Sequence, residues 1–421
     1  MTEDFLQYIW RSSLFYPLSI NGFRHKIEVL CAGEQNINSG PDFLDARIMI
    51  DKMVFAGNVE IHINASDWYR HGHHLNKAYD NVILQLVMNI DAEVRRTTGE
   101  IIPTAELRFD SKMISVYRQL MRNENWIPCQ PYIHQVNAGI KEEWLPSLAV
   151  RRLEQKSLIL RDVLHQNQNS WEETFYQQLA HNFGFRLNGE IFRLLARSLP
   201  YKLVLKHRNS LFQIESMLFG QAGMLTSDKG DDYFEALKRE YLFLKRKYNL
   251  IPLEKHLWKF LRLRPANFPT IRIAQFSAFL YKTPYLFSTI METGDRKEME
   301  SLFKISASEY WNTHYVFNRT SGMIVKNLGR FALHSIIINT VVPVLYFYGQ
   351  QRLMDEYSER AINFLKSLPG EKNSVISKWS ALGIGADNAL ISQALLQQKN
   401  EFCNYRRCLN CQIGNNIINR R

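Results

Sequence analysis

Between Gly40 and Met88 this 421-residue sequence crowds acids and imidazoles around short strand-like runs, more densely than anywhere else in the chain. Asp42 and Asp45 come first, Glu60 and His62 follow, and Asp67, His71, His73 and His74 lie in a loop that ends at Tyr79-Asp80. Two carboxylates on neighbouring strands hold a divalent cation through hard oxygen ligands, and a third group can orient an attacking water. Phosphodiester hydrolysis needs that arrangement, because the cation offsets charge building on the phosphate and lowers the pKa of bound water. Here Asp42 (or Asp45) supplies the first carboxylate, Glu60 the second, and the Ile61 carbonyl a main-chain oxygen. Glu60 and His62 are two apart on a strand and so share a face, which sets His62 beside the cation. Mg2+ or Mn2+ is the expected metal. The bland readings are a turn aspartate after proline and an exposed strand face. His71, His73 and His74 have the chemistry of zinc ligands but also suit solvent or phosphate contact. Asp67, Lys77 and Asp80 stand in a second tier with Asp45, His71 and His73: Asp67-Trp68 reads as a turn over a buried indole, and Asp80 as a cap or ion pair.

The elements that position these groups follow from periodicity. Phe5, Ile9 and Trp10 recur at helical spacing over residues 2–11. Phe23 to Leu30 alternates as a strand, 46–50 and 54–63 form a hairpin around Asp51-Lys52, and Asn81 to Met88 is an apolar strand. Gly57 inside a strand predicts a bulge or a close backbone approach. Glu93–Arg96 and Thr104–Phe109 read as a further hairpin across Thr98-Gly99. From Ser111 helical periodicity takes over, with helices expected near 112–123, 142–165, 171–183, 188–197, 210–219, 231–247, 270–281, 296–305, 326–348, 352–366 and 387–400. The fold class expected is α+β: a mixed α/β module over 1–130, an all-α region over 131–400 and a cysteine-containing tail over 401–421.

Pro41-Asp42, then an apolar strand and hairpin, then Glu60-Ile61-His62 resembles the PD-(D/E)xK nuclease superfamily. The core of that superfamily is a helix, a three-strand meander, a helix and a further strand. The resemblance implies a restriction-endonuclease-like module with Asp42 and Glu60 as metal ligands and His62 in the catalytic position usually held by lysine. Lys77 would be a migrated substitute. Over nearly the full length the sequence also resembles the bacterial domain-of-unknown-function family numbered 2851. Gly40-Pro41-Asp42-Phe43, Gly57 to His62, Ser66-Asp67-Trp68 with His71-Gly72-His73, Tyr79 to Val82, Arg264 to Pro269 and the terminal cysteines carry that likeness, which brings no established activity.

The tail holds Cys403, Cys408 and Cys411, a C-x4-C-x2-C spacing. Three close thiols without a disulfide framework suit an iron–sulfur cluster, with Cys31 or Cys129 as fourth ligand if the tail folds back on the first module, or equally a three-cysteine zinc site completed by histidine. Unliganded thiols on a terminal helix are the alternative. Arg406, Arg407, Arg420 and Arg421 are potential phosphate contacts. In the helical region, basic and aromatic residues interleave at Tyr241–Tyr248 and Trp258–Arg264; periodicity assigns the aromatics mainly to the core, and Arg262, Arg264 and Arg272 remain as nucleic-acid contacts.

A net charge of +11 favours a polyanionic partner, nucleic acid above an anionic membrane. Five cysteines, a start without a basic region before an apolar core, and an apolar run at Phe331–Tyr348 broken by His334, Asn339, Thr340 and Pro343 point to the cytoplasm and to a buried helix, with no membrane attachment. No dinucleotide fingerprint, phosphate loop or nucleophile elbow appears. The sequence thus predicts a metal-dependent nuclease-like hydrolase whose helical region shapes substrate access. The alternatives are a non-catalytic nucleic-acid-binding or scaffold protein that keeps the fold, and a hydrolase of another phosphorylated substrate.

Overall fold

Phe5, Leu6, Ile9 and Trp10 form the buried stripe of α1 (Glu3–Arg11) in the computed structural model, which describes residues 2–20 and 25–420. The protein is α+β, with an N-terminal sheet and a larger helical region. It divides into two units: Met1–Trp144 with Lys399–Arg421, and Leu145–Gln398. The expected boundary near 130 thus falls at 144. The cysteine tail belongs to the first unit instead of standing alone.

The sheet of the first unit contains β1 (Leu18–Ser19), β2 (Lys26–Cys31), β3 (Glu34–Gln35), β4 (Phe43–Ile50), β5 (Met53–Asn64), β6 (Val82–Asn89) and β7 (Thr104–Glu106). Its spatial order is β1-β2-β4-β5-β6-β7, with β3 paired to β4. The β2-β4-β5 meander is antiparallel, whereas β6 lies parallel to β5 and β7 parallel to β6. The residue Phe23, expected to open the second strand, lies outside the described residues. Gly57 is a close backbone approach, as expected: a Cβ there would stand 2.5 Å from Ile83 Cγ2 and 2.6 Å from the Asn81 carbonyl. The last expected hairpin does not form. Arg95 and Ile101 make only an isolated bridge around Gly99, which has φ +85°, and Thr104–Glu106 pairs with β6 instead. Pairing with β6 buries Ala105, which a two-stranded ribbon would leave wet. Between β5 and β6 run the short helix α2 (Asp67–Arg70) and two 3-10 turns, His73–Leu75 and Lys77–Tyr79.

The helical unit follows the periodicity closely. Helices at Trp171–Phe183, Asp232–Tyr248, Pro269–Lys282 and Asp355–Ser367 lie within three residues of expectation. Phe183, Phe192, Phe276, Phe279 and Phe303 pack in its core. Among the described residues, Arg330–Arg352 is the one helix long and apolar enough to cross a membrane, and its apolar window is 78% buried within the protein.

Candidate active site

Asp42 sits at the mouth of β4 and Glu60 in the buried middle of β5, and the two interlock through the backbone. The Asp42 N–H donates to Glu60 Oε2 (2.9 Å), and the Ile61 N–H donates to Asp42 Oδ2 (3.0 Å). The bulge between Phe43 and Ala46 turns Asp42 inward and leaves Asp45 exposed in the left-handed region, φ +57°, its N–H donating to Asn58 Oδ1. Of the two aspartates, then, only Asp42 faces the site. Ile61 contributes its N–H to Asp42.

His62 is buried on the same face as Glu60, with Nε2 at 3.5 Å from Glu60 Oε1 and 3.2 Å from His71 Nδ1. His73 brings its Nε2 within 3.2 Å of the same Glu60 oxygen. The nitrogens of His62, His71 and His73 lie within 4.8 Å of one another, a spacing that can hold one metal ion. A buried platform fixes the loop that carries two of them: Tyr79 stacks on His73 at 3.8 Å and the Trp68 edge meets the same ring. His74 stands apart from the group, with its ring against Tyr69.

Three contributors carried no sequence signal of their own. Gln7 of α1 donates to Asp42 Oδ1 (2.8 Å). Glu3, one turn earlier on the same helix face, adds negative charge felt by Asp42, Glu60 and His73. Gln85 of β6 is in register with Glu60, and its amide nitrogen lies 3.1 Å from His62 Nδ1 and 3.3 Å from the Ala65 carbonyl. A glutamine inside the apolar run VILQLVM was the available clue, since a buried amide needs partners.

Burial dominates the electrostatics. It raises the carboxyls of Asp42 and Glu60 well above the usual carboxylate range; the Glu60 charge adds to the effect at Asp42, and Glu3 at Glu60. Burial, and then His73 and His71, push His62 down to about 3, so it is a neutral imidazole. His73 is lowered for the same first reason. With Gln85 facing Nδ1, the His62 proton sits on Nε2, toward Glu60 and His71. A metal at Nε2 would require the other tautomer, for which the Gln85 amide would have to turn end for end and give up its bond to the Ala65 carbonyl.

The remaining second-tier residues are structural or exposed. Asp67 is buried, accepting from the Asn64 N–H (3.0 Å) and pairing with Arg70 (2.8 Å). Asp80 accepts from the Thr97 N–H and hydroxyl, and Lys77 is exposed. Arg262 and Arg264 are exposed, but Arg272 is not the loop cation expected: it lies in the first turn of Pro269–Lys282 and is buried. There it bonds Gln275 and Asn267 and stacks on Phe185.

A family model described as a protein of unknown function (DUF2851) matches residues 3–374. The chain belongs to that family. No curated protein and no solved structure matches it. The matched span of this DUF2851 protein contains every residue of the site just described.

Proposed function

We propose that this DUF2851 protein is a metal-dependent phosphodiesterase of the nuclease type, acting on nucleic acid. The observation that carries this reading is the interlocked Asp42–Glu60 pair facing three converging imidazoles. Two neighbouring buried carboxyls with raised pKa values are costly for folding and useful for proton handling near neutral pH. The order α1, antiparallel β2-β4-β5, the four-residue α2 and parallel β6 supports the nuclease reading, since the PD-(D/E)xK superfamily that the sequence resembles has a core in the same order.

Glu60, His62, His71 and His73 would hold the ion, with Asp42 beside it. Three nitrogens with one or two oxygens suit Mn2+ or Zn2+ better than Mg2+, which prefers oxygen alone. The metal, when bound, supplies charge neutralisation at the phosphate and a more acidic water. Gln7 and the Ile61 N–H orient Asp42, whose raised carboxyl is suited to take the proton of an attacking water. Tyr79 and Trp68 keep the His73 ring in place. Exposed Arg262 and Arg264, within the net charge of +11, suit a polyanionic substrate.

One observation favours the second reading, a non-catalytic nucleic-acid-binding or scaffold protein: neutral His62 does not replace the cation that lysine supplies in the superfamily. Labelled single- and double-stranded DNA and RNA, offered with Mn2+, Mg2+, Zn2+ or EDTA, separate the two. Metal-dependent cleavage that disappears in Glu60→Ala supports the enzyme. Salt-sensitive binding without cleavage supports the second reading, and neither cleavage nor binding overturns both.

A further inference from the structure

All five cysteines belong to the first unit, although 274 positions separate Cys129 from Cys403. Cys129, Cys403, Cys408 and Cys411 are all buried, none is disulfide-bonded, and Cys31 is exposed on β2. The Cys129 thiol lies close enough to the other three for each of them to add to the effect of burial in raising it.

The backbone around these thiols is irregular and held at many points. Residues Gln398–Cys403 form a π turn, Arg406 is left-handed at φ +53°, and Cys408–Asn410 make one 3-10 turn closed by Cys411 N–H to the Cys408 carbonyl (3.3 Å). Gly414 is needed beside that turn, because a Cβ there would stand 2.3 Å from the Cys408 carbonyl oxygen. Arg406 reaches the end of α3 (Ser111–Arg122), donating to the carbonyls of Leu120 (3.2 Å), Met121 (2.6 Å) and Asn123 (2.8 Å). That use replaces the phosphate contact expected of Arg406. Arg420 likewise bonds Gln135, and Arg421 lies outside the described residues. Lys399 donates to the Trp126 carbonyl and lies over its ring, and Phe402 meets Trp144. The residues around the tail thiols are therefore fixed to the 120–135 segment that presents Cys129, and to Trp144.

Packing alone does not explain this. Alanine or valine would fill such positions, and buried cysteines used as small apolar residues have no reason to converge from two distant segments. A C-x2-C turn with a third thiol five residues earlier and a fourth from elsewhere is the ligand set of a thiolate metal centre.

We propose that Cys129, Cys403, Cys408 and Cys411 together ligate a thiophilic metal centre, a zinc ion or an iron–sulfur cluster, that ties the tail to the rest of the first unit. Each thiol loses its proton on binding, and the four thiolates complete the coordination without another residue. This inference is independent of the nuclease reading.

The test is metal analysis of the full-length protein purified without oxygen, for zinc, iron and acid-labile sulfide, with X-ray absorption at the edge of whichever metal is found. Wild type should carry about one zinc ion, or iron and sulfide in cluster proportion with visible colour, in a sulfur-only shell. Sulfur ligation separates this centre from an ion on the histidines. Cys129→Ser should lose most of the metal and Cys31→Ser should keep it. Stripping the wild type with a chelator should lower its melting temperature, a readout that does not depend on any variant folding. Wild type with neither metal, nitrogen–oxygen ligation alone, or a folded Cys129→Ser that retains full metal would overturn the proposal.

Discussion

His207 in the helical unit and His62 in the sheet unit are both buried imidazoles, and they live in opposite surroundings. Each nitrogen of His207 meets a neutral partner, Gln213 Oε1 at 2.7 Å and Tyr248 OH at 2.9 Å. His62 instead turns one nitrogen to another imidazole and to a carboxyl whose nearest acid is Asp42. The buried acids differ in the same way. Glu215 is enclosed by hydroxyl donors, Ser308 at 2.9 Å and Tyr233, whereas Glu60 shares its pocket with Asp42 and Glu3. A buried group with complementary neighbours fixes a fold; like groups pressed together leave a free-energy deficit that a bound cation can remove. The contrast marks the sheet-unit cluster as the place built for something else to bind.

The sharpest way to break that comparison is Glu60→Gln. Cleavage should fall by about 10²–10⁴-fold, the range for losing a metal or proton-handling group, while the melting temperature at neutral pH rises because an acid that burial forces to take up a proton is replaced by a neutral amide. A loss of both activity and stability would place Glu60 among structural groups. In the helical unit, Glu215→Gln tests the opposite expectation. Burial raises Glu215 from 4.5 to about 7, so the folded protein holds a proton that the unfolded chain has released. The resulting stability is fully present below the unfolded pKa and is lost as pH rises through the folded one. Denaturant titrations of wild type from pH 4.5 to 7 should show a decline on the order of 2–3 kcal/mol from this group. That decline should be absent in Glu215→Gln, with metal binding unchanged. Gln85→Leu removes the partner that orients His62, along with the bonds to the Ala65 carbonyl and Thr104, and should weaken Mn2+ affinity about 10–100-fold in calorimetry. The smallest effects belong to Asp45→Asn and Lys77→Ala: both are exposed, asparagine tolerates the left-handed backbone at 45, and cleavage should change less than about twofold.

How far the sequence could be read follows from where each signal resides. Asp42, Glu60, His62, His71 and His73 are close in the chain, and strand alternation alone sets Glu60 and His62 on one face. The helices were legible because their apolar stripes recur locally. Gln7 and Gln85 were not, because a helix face or an apolar strand shows a partner only once register is known; the Glu60–Gln85 pairing is a property of the parallel β5–β6 ladder. Arg272 was read through its neighbouring prolines, yet Pro269 begins a helix whose first twelve residues are all buried, so its side chain turns inward. The convergence of Cys129 with the tail depends on chain reversal over the entire helical unit, for which no local pattern exists. Thr104–Glu106 was misplaced for a related reason: its alternation fits either a local hairpin or a parallel neighbour, and only burial against β6 decides.

The central claim is tested most directly by titrating Mn2+, an ion the thiolates do not favour, into metal-depleted protein. Bound metal and cleavage of a labelled nucleic acid are followed together, wild type beside Glu60→Gln. Cleavage that rises with occupancy of one site in wild type, and fails in the variant along with that occupancy, is the predicted result. Cleavage independent of Mn2+, or none in wild type at full occupancy, would contradict the account.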